Sequence, residues 1–282
     1  MLHFSINPPS FNGLVSLCSR ILLSDTNPVL IKSQFFRPFC VVYIDQCLQS
    51  LAPDTRLYSK YSELNQYLLQ IDFPFLYDGA QGSDPFPAEN MIKLNRFNGN
   101  IDDLAYEVPK WLREDVLTRS FIPKFSFALE KKIVENLWEI INNAMQHSTS
   151  NNGISCCGQF YPQCGYFEIA FSDLGLGIPG SVRRFNKIYR TFSDTECILW
   201  ALQKGTSTRP DIESGGLGLY YLTEFLKLNM GCLQIISHQG IFQIERSQEK
   251  DPVHIRNRIN GTLFNLRIIY DDKLYYLEGE NI

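Results

Sequence analysis

Glu135, Glu139, Asn143 and His147 recur at four-residue steps within the stretch that ends at Ser148. On a helix this spacing stacks their side chains on successive turns, beside an apolar side of Leu137, Ile140, Ile141, Ala144 and Met145. A plain solvated face would carry Lys and Arg among its acids. A row of carboxylate, amide and imidazole better suits a cation or a reacting water. Magnesium takes hard oxygen ligands and keeps several waters, so one amide oxygen plus phosphate oxygens satisfies it, and Asn143 is the candidate ligand. Glu139, one turn away, is placed to position a water or take its proton.

Two glycine clusters downstream suggest what that face would meet. Asp173-x-Gly-x-Gly177 ends a β-like run. Gly175 and Gly177 allow a sharp turn and close approach of a ligand, and Asp173 can accept a hydrogen bond from an exocyclic amine such as that of adenine. Gly215-Gly-Leu-Gly-Leu219 opens a helix, where free N–H groups form an anion site. Gly215, Gly216, Leu217, Gly218 and Leu219 are therefore candidate phosphate-binding residues. The preceding Lys204-Gly-Thr-Ser-Thr-Arg209 adds a cation and the hydroxyls of Thr206, Ser207 and Thr208, on a loop able to close over a triphosphate. Taken singly, each glycine cluster reads as well as a structural turn. Neither is a Walker loop or a dinucleotide fingerprint.

In order and approximate spacing, Glu139-x-x-x-Asn143-Ala144, Asp173-x-Gly-x-Gly177 and Gly216-Leu-Gly-Leu219 resemble the GHKL ATPases. That superfamily includes gyrase, the ninety-kilodalton heat-shock chaperones, histidine kinases and MutL proteins. Asn-Asn-Ala-Met-Gln-His-Ser148 and Asp173-Leu-Gly-Leu-Gly-Ile-Pro179 look most like the histidine-kinase and anti-sigma-kinase branch. The resemblance covers about residues 126–270, roughly half the chain. It implies a Bergerat-type two-layer sandwich of helices on a mixed, mostly antiparallel sheet, with ATP and Mg2+ as cofactors. Asn143 would hold magnesium and Glu139 would be the general base. Asp173 would bind the adenine amine, Gly175 and Gly177 would shape its pocket, and Thr262, after Gly261, would assist through water. Gly216 and Gly218 would cradle phosphates under a lid spanning 205–214.

The chain also departs from the family. Ser214 stands where a glycine usually opens the last box, and no Phe-containing box is evident between the glycine clusters. His3, His238 and His254 lack a phosphoacceptor context, so self-phosphorylation is not expected. The resemblance implies slow ATP hydrolysis as a switch on a partner protein. The alternatives are an anti-sigma-type serine/threonine kinase and a non-hydrolysing scaffold. Many relatives dimerise, which makes a homodimer an expectation.

These residues need elements to hold them. The pattern predicts an α/β (α+β) chain, with a region of unknown role over 1–90 and an ATP-binding domain over 91–282. The Pro-, Gly- and Asp-rich stretch 73–88 marks the boundary. Within the first region, Phe11–Leu23 and Phe39–Leu51 have helical spacing, and residues 28–32 and 56–61 are β-like. Phe35-Phe-Arg-Pro-Phe-Cys40 and Asn65–Asp72 faintly resemble STAS modules. Met91–Phe97 reads as a strand, Asp103–Arg113 as a helix, and Ser126 as the cap of the long helix. Strands Ile154–Tyr161 and Tyr166–Ser172 form a hairpin. Helices are expected over 181–189, 194–203 and 215–228, and strands over 233–238, 241–245 and 262–270.

The chain has 282 residues, enough for one large or two modest domains, and a net charge of −4 that argues against a dedicated nucleic-acid binder. No signal peptide or membrane-length apolar run is evident, so a cytoplasmic protein is expected. The eight cysteines then read as reduced thiols. Cys156, Cys157 and Cys164 lack a paired Cys-x-x-Cys and a fourth ligand, which favours buried strand cysteines over zinc.

Overall fold

Phe167, Ile169 and Phe171 occupy every second position of the strand Tyr166–Ser172, with Glu168, Ala170 and Ser172 between them. Such alternation ordinarily marks a sheet with one wet face. Here both sets are buried, so both faces must be covered. The computed structural model describes residues 4–5, 11–82, 88–147, 152–208, 218–277 and 280, and shows what covers each.

The chain begins with β1 (Phe4–Ser5), α1 (Phe11–Leu22), β2 (Val29–Lys32), α2 (Pro38–Leu51), β3 (Leu57–Ser59) and α3 (Ser62–Gln70). The three strands pair in parallel in that order. Next come β4 (Met91–Phe97), α4 (Ile101–Trp111), β5 (Lys124–Phe125), α5 (Phe127–His147), β6 (Ile154–Tyr161) and β7 (Tyr166–Ser172). Helices α6 (Gly177–Phe185), α7 (Asp194–Ala201) and α8 (Gly218–Leu228) follow. The chain closes with β8 (Cys232–Ser237), β9 (Gly240–Glu245), β10 (Gln248–Glu249), β11 (Val253–His254), β12 (Thr262–Ile269) and β13 (Leu274–Tyr275). The main sheet has eight strands in the order β10-β9-β8-β12-β7-β6-β4, with β11 also on β9, and its pairs are antiparallel. The chain is of the α/β (α+β) class.

One face packs on α4, α5 and α8, through Phe167, Ile169, Phe171, Ile235, Phe264 and Leu266. The other face is covered by α2. That helix is buried from Pro38 to Cys47 and on to Leu48, as a helix enclosed on all sides must be. Cys157, Ala170, Ile236 and Leu263 from the sheet share one core cluster with α1, α2 and α3. The segment from Leu14 to Leu76 therefore lies against the sheet through a common core.

Polar residues at this junction are paired. Glu168, fully buried, receives two hydrogen bonds from Arg37, at 2.6 and 3.0 Å. Asp45 on α2, equally buried, receives Arg96 at 2.6 and 3.1 Å, Ser155 Oγ at 2.6 Å and Gln49 Nε2 at 2.7 Å. Buried carboxylates persist when every lone pair has such a partner.

Local structure follows the sequence closely. Ser126 Oγ accepts the N–H of Leu129, capping α5. Helix α6 starts at Gly177, four residues earlier than expected, because Pro179 falls in its first turn, where a missing N–H costs nothing. Cys156 and Cys157 are buried and Cys164 is exposed. Among the described residues no helix is long and apolar enough to cross a membrane.

Candidate functional site

The ends of three strands meet beside the second half of α5. Register places Ser172 at the end of β7 opposite Leu263, and Ser237 at the end of β8 opposite Thr262. Helices α6, α7 and α8 close the remaining sides. The cleft between them has about 790 Å³ of empty space, a figure that includes space open to solvent.

Helix α5 contributes Glu139, Ile140, Asn143 and Ala144 to the wall, as four-residue spacing predicts. Asp173 and Gly177 come from the β7–α6 turn, Thr262 and Phe264 from β12, and Leu219 from α8. Thr206, Ser207 and Thr208 line the mouth after α7. Nine of the expected residues thus converge on one cleft: Glu139, Asn143, Asp173, Gly177, Thr206, Ser207, Thr208, Leu219 and Thr262.

Asp173 is buried, and its carboxylate accepts the N–H of Gly175 at 2.6 Å and of Thr262 at 3.1 Å. Burial raises its pKa to about 7, with those two backbone bonds pulling the other way. A carboxylate has about four acceptor positions, so these bonds do not exhaust it. Gly261 makes the arrangement possible. It takes φ +69°, and a Cβ there would stand 2.1 Å from the Asp173 carbonyl oxygen.

Ser237 Oγ bridges the strand ends: it donates to the Gly261 carbonyl at 2.8 Å, accepts from Ile178 N at 3.0 Å, and lies 3.0 Å from Thr262 Oγ1. Its own proton being committed to Gly261, the Thr262 hydroxyl is the donor of that last bond. Gly177 has φ +70°, and a Cβ there would meet Ser237 Oγ at 2.7 Å. This glycine serves close packing as well as access to the cleft.

At the other end of the cleft, Glu139 Oε2 accepts the N–H of Gly218, the first residue of α8, at 3.0 Å. A Cβ on Gly218 would lie 2.6 Å from the same oxygen, so only glycine allows this approach.

Several expected residues stand elsewhere. Gly175 acts through its N–H on Asp173 and is not part of the wall. Lys204 Nζ lies 5.6 Å from the ring centroid of Tyr220 and is not part of the wall. Thr206 does line the cleft, but its Oγ1 directs its proton to the Trp200 and Gln203 carbonyls just after α7 begins its last turn. Glu135 pairs with Lys131 and Lys132. Gly215, Gly216, Leu217 and Ser214 lie outside the described residues, as does the His147 side chain. His238 contacts the Leu176 carbonyl at 2.9 Å and Arg258 at 3.1 Å, a packing role.

The wall also holds Ile178, Ser181, Val182, Trp200 and Phe264, which motif spacing did not single out. A signal was present for most. Ile178, Ser181 and Val182 have the i, i+3, i+4 spacing of one helix face, and Phe264 shares a strand face with Thr262. Trp200 belongs to an aromatic cluster between the glycine clusters, with Tyr189 at 5.1 Å and Phe185 at 6.0 Å. Comparison with protein-family models and with curated proteins returned no match to the chain.

Proposed function

We propose that this cleft binds Mg-ATP and hydrolyses it slowly, as a conformational switch acting on a partner protein. The observation that carries the reading is the convergence on one cleft of Asp173, Asn143 and Glu139, with the start of α8 alongside. The residues fit the ligand at both ends. Asp173 offers its free acceptor positions to the exocyclic amine of adenine, while Ile178, Val182 and Phe264 give the base apolar contact. The Thr262 oxygen remains an acceptor for a bridging water.

The opposite end holds the triphosphate. Among the described residues no group of three or more His, Cys, Asp or Glu side chains gathers as a metal site. A magnesium ion would take the Asn143 amide oxygen and draw its other ligands from phosphate and water. When bound, it neutralises the charge that builds on the transferred phosphoryl group. The N–H groups opening α8 favour an anion. Glu139 Oε2 accepts the Gly218 N–H. Phosphate oxygens would compete for the Gly218 N–H and release the carboxylate to orient a water and take its proton.

The test is phosphate release from ATP labelled at the γ-position. Release that disappears on Glu139→Ala supports the reading. Absence of both phosphate release and label transfer refutes the reading, and label on an added protein would indicate the kinase instead.

A further inference from the structure

Between Asp173 and Asp194 the chain has no acidic residue, yet it places Arg183, Arg184, Lys187 and Arg190 there. Arg183 is structural. It donates to the Phe192 carbonyl at 2.7 and 3.0 Å and pairs with Asp194 at 2.6 Å. The other three, at the end of α6 and on the 3-10 turn Lys187–Thr191, are exposed and have no hydrogen-bond or ion-pair partner among the described residues. Two apolar side chains stand out among them: Ile188, 72% exposed, and Phe185, 40% exposed.

A solvated run of charge would be loose and would lack such apolar groups. This one is held firmly. Asn186 accepts the Ile188 N–H at 3.0 Å, a capping box at Ser193 and Glu196 fixes the start of α7, and Arg183 ties the two ends together. Phe185 and Tyr189 also pack on Trp200, which lines the cleft.

We propose that Arg184, Phe185, Lys187, Ile188 and Arg190 form a docking surface for an acidic segment of a partner protein that carries aliphatic or aromatic side chains. Three unpaired cations on a protein of net charge −4 select an acidic ligand by complementarity, and a rigid platform lowers the ordering cost of binding it. Ile188 is the anchor, and an aliphatic anchor favours a peptide over single-stranded nucleic acid, which would need free aromatic faces to stack on. Docking there presses on Trp200 through Phe185 and Tyr189, which gives a partner a route to the cleft. The surface stands whether or not the cleft takes a nucleotide.

Fluorescence anisotropy with the full chain and a labelled peptide alternating Glu with Leu and Phe tests this. Saturable binding is expected at low salt, weakened at least about tenfold by the triple variant Arg184→Glu/Lys187→Glu/Arg190→Glu. Ile188→Ser, which leaves charge unchanged, should weaken it by roughly fivefold or more. Thermal unfolding should stay as in the parent, because the replaced side chains are exposed. Several outcomes would overturn the proposal. They are absence of saturable binding, binding that survives the triple variant or is indifferent to Ile188→Ser, and equal or tighter binding of an oligothymidylate under the same conditions. Sedimentation showing that the triple variant breaks a dimer of the chain itself would also overturn it, making a second copy the occupant.

Discussion

Glu139 Oε2 and the N–H of Gly218 are joined by a 3.0 Å hydrogen bond between residues 79 positions apart in sequence. The bond ties the middle of α5 to the first residue of α8, and it needs the missing Cβ of Gly218. The carboxylate proposed to handle the attacking water therefore accepts an N–H that a phosphate oxygen could also accept.

Glu139→Ala should keep nucleotide binding, within about threefold of the parent or somewhat tighter, because an anion that competes for the α8 start is gone. Turnover should fall by about 10²–10⁴, the usual contribution of a positioned base. Steady-state phosphate release beside equilibrium binding measures both. Hydrolysis at the parental rate would show that Glu139 only caps α8.

Asp173 titrates near 7 in the folded protein, so its ionised fraction grows from a minority at pH 6 to a majority at pH 8. An amine donates to the carboxylate form, so ATP affinity should rise over that interval and level off above it. GTP presents an acceptor where ATP presents the amine, and should bind about 10–100-fold more weakly. Asp173→Asn should narrow the gap between the two and flatten the pH dependence. For folding stability the sign is opposite. A pKa raised above the ordinary 3.8 means that the folded state holds the proton more tightly. Asp173 therefore costs stability progressively as pH climbs from about 4 through 7. Titrations at three pH values, with thermal melts alongside, check both signs.

Gly261→Ala forces a Cβ against the Asp173 carbonyl at a left-handed backbone position. A loss of roughly 2–4 kcal/mol in unfolding free energy is expected, together with weaker nucleotide binding as Asp173 moves. Denaturant unfolding beside binding reports it, and a variant of parental stability would contradict the geometry.

Arg37→Met leaves Glu168 buried without its bidentate partner. The cost should be about 3 kcal/mol, and adding Glu168→Gln should recover part of it, since the charge rather than the shape is then removed. Unfolding of the single and double variants in urea provides the comparison. An effect under about 1 kcal/mol would mean that the Arg37–Glu168 pair adds little to the junction with the sheet.

Much of this architecture is legible in the residues. Period-four spacing places Glu139 and Asn143 on one wall, and period-two spacing fixes the inward faces of β6, β7, β8 and β12. What local pattern cannot convey is what lies over the second face of the sheet. Glu168 and Ser155 alone suggest a wet face, and their burial depends on the distant Arg37, Asp45 and Gln46 on or next to α2. Trp200 was hidden for a similar reason. A single aromatic on a short helix gives no period, and its place in the cleft follows from stacking on Tyr189. The committed proton of Thr206 likewise depends on where α7 happens to end.

The most direct measurement is calorimetric titration of ATP into the full chain, with and without magnesium, in the parent and in Asn143→Ala. The account predicts saturable binding that magnesium strengthens in the parent, and loss of that magnesium-dependent part in Asn143→Ala. Absence of ATP binding under any condition, or an unchanged magnesium dependence in Asn143→Ala, would contradict it.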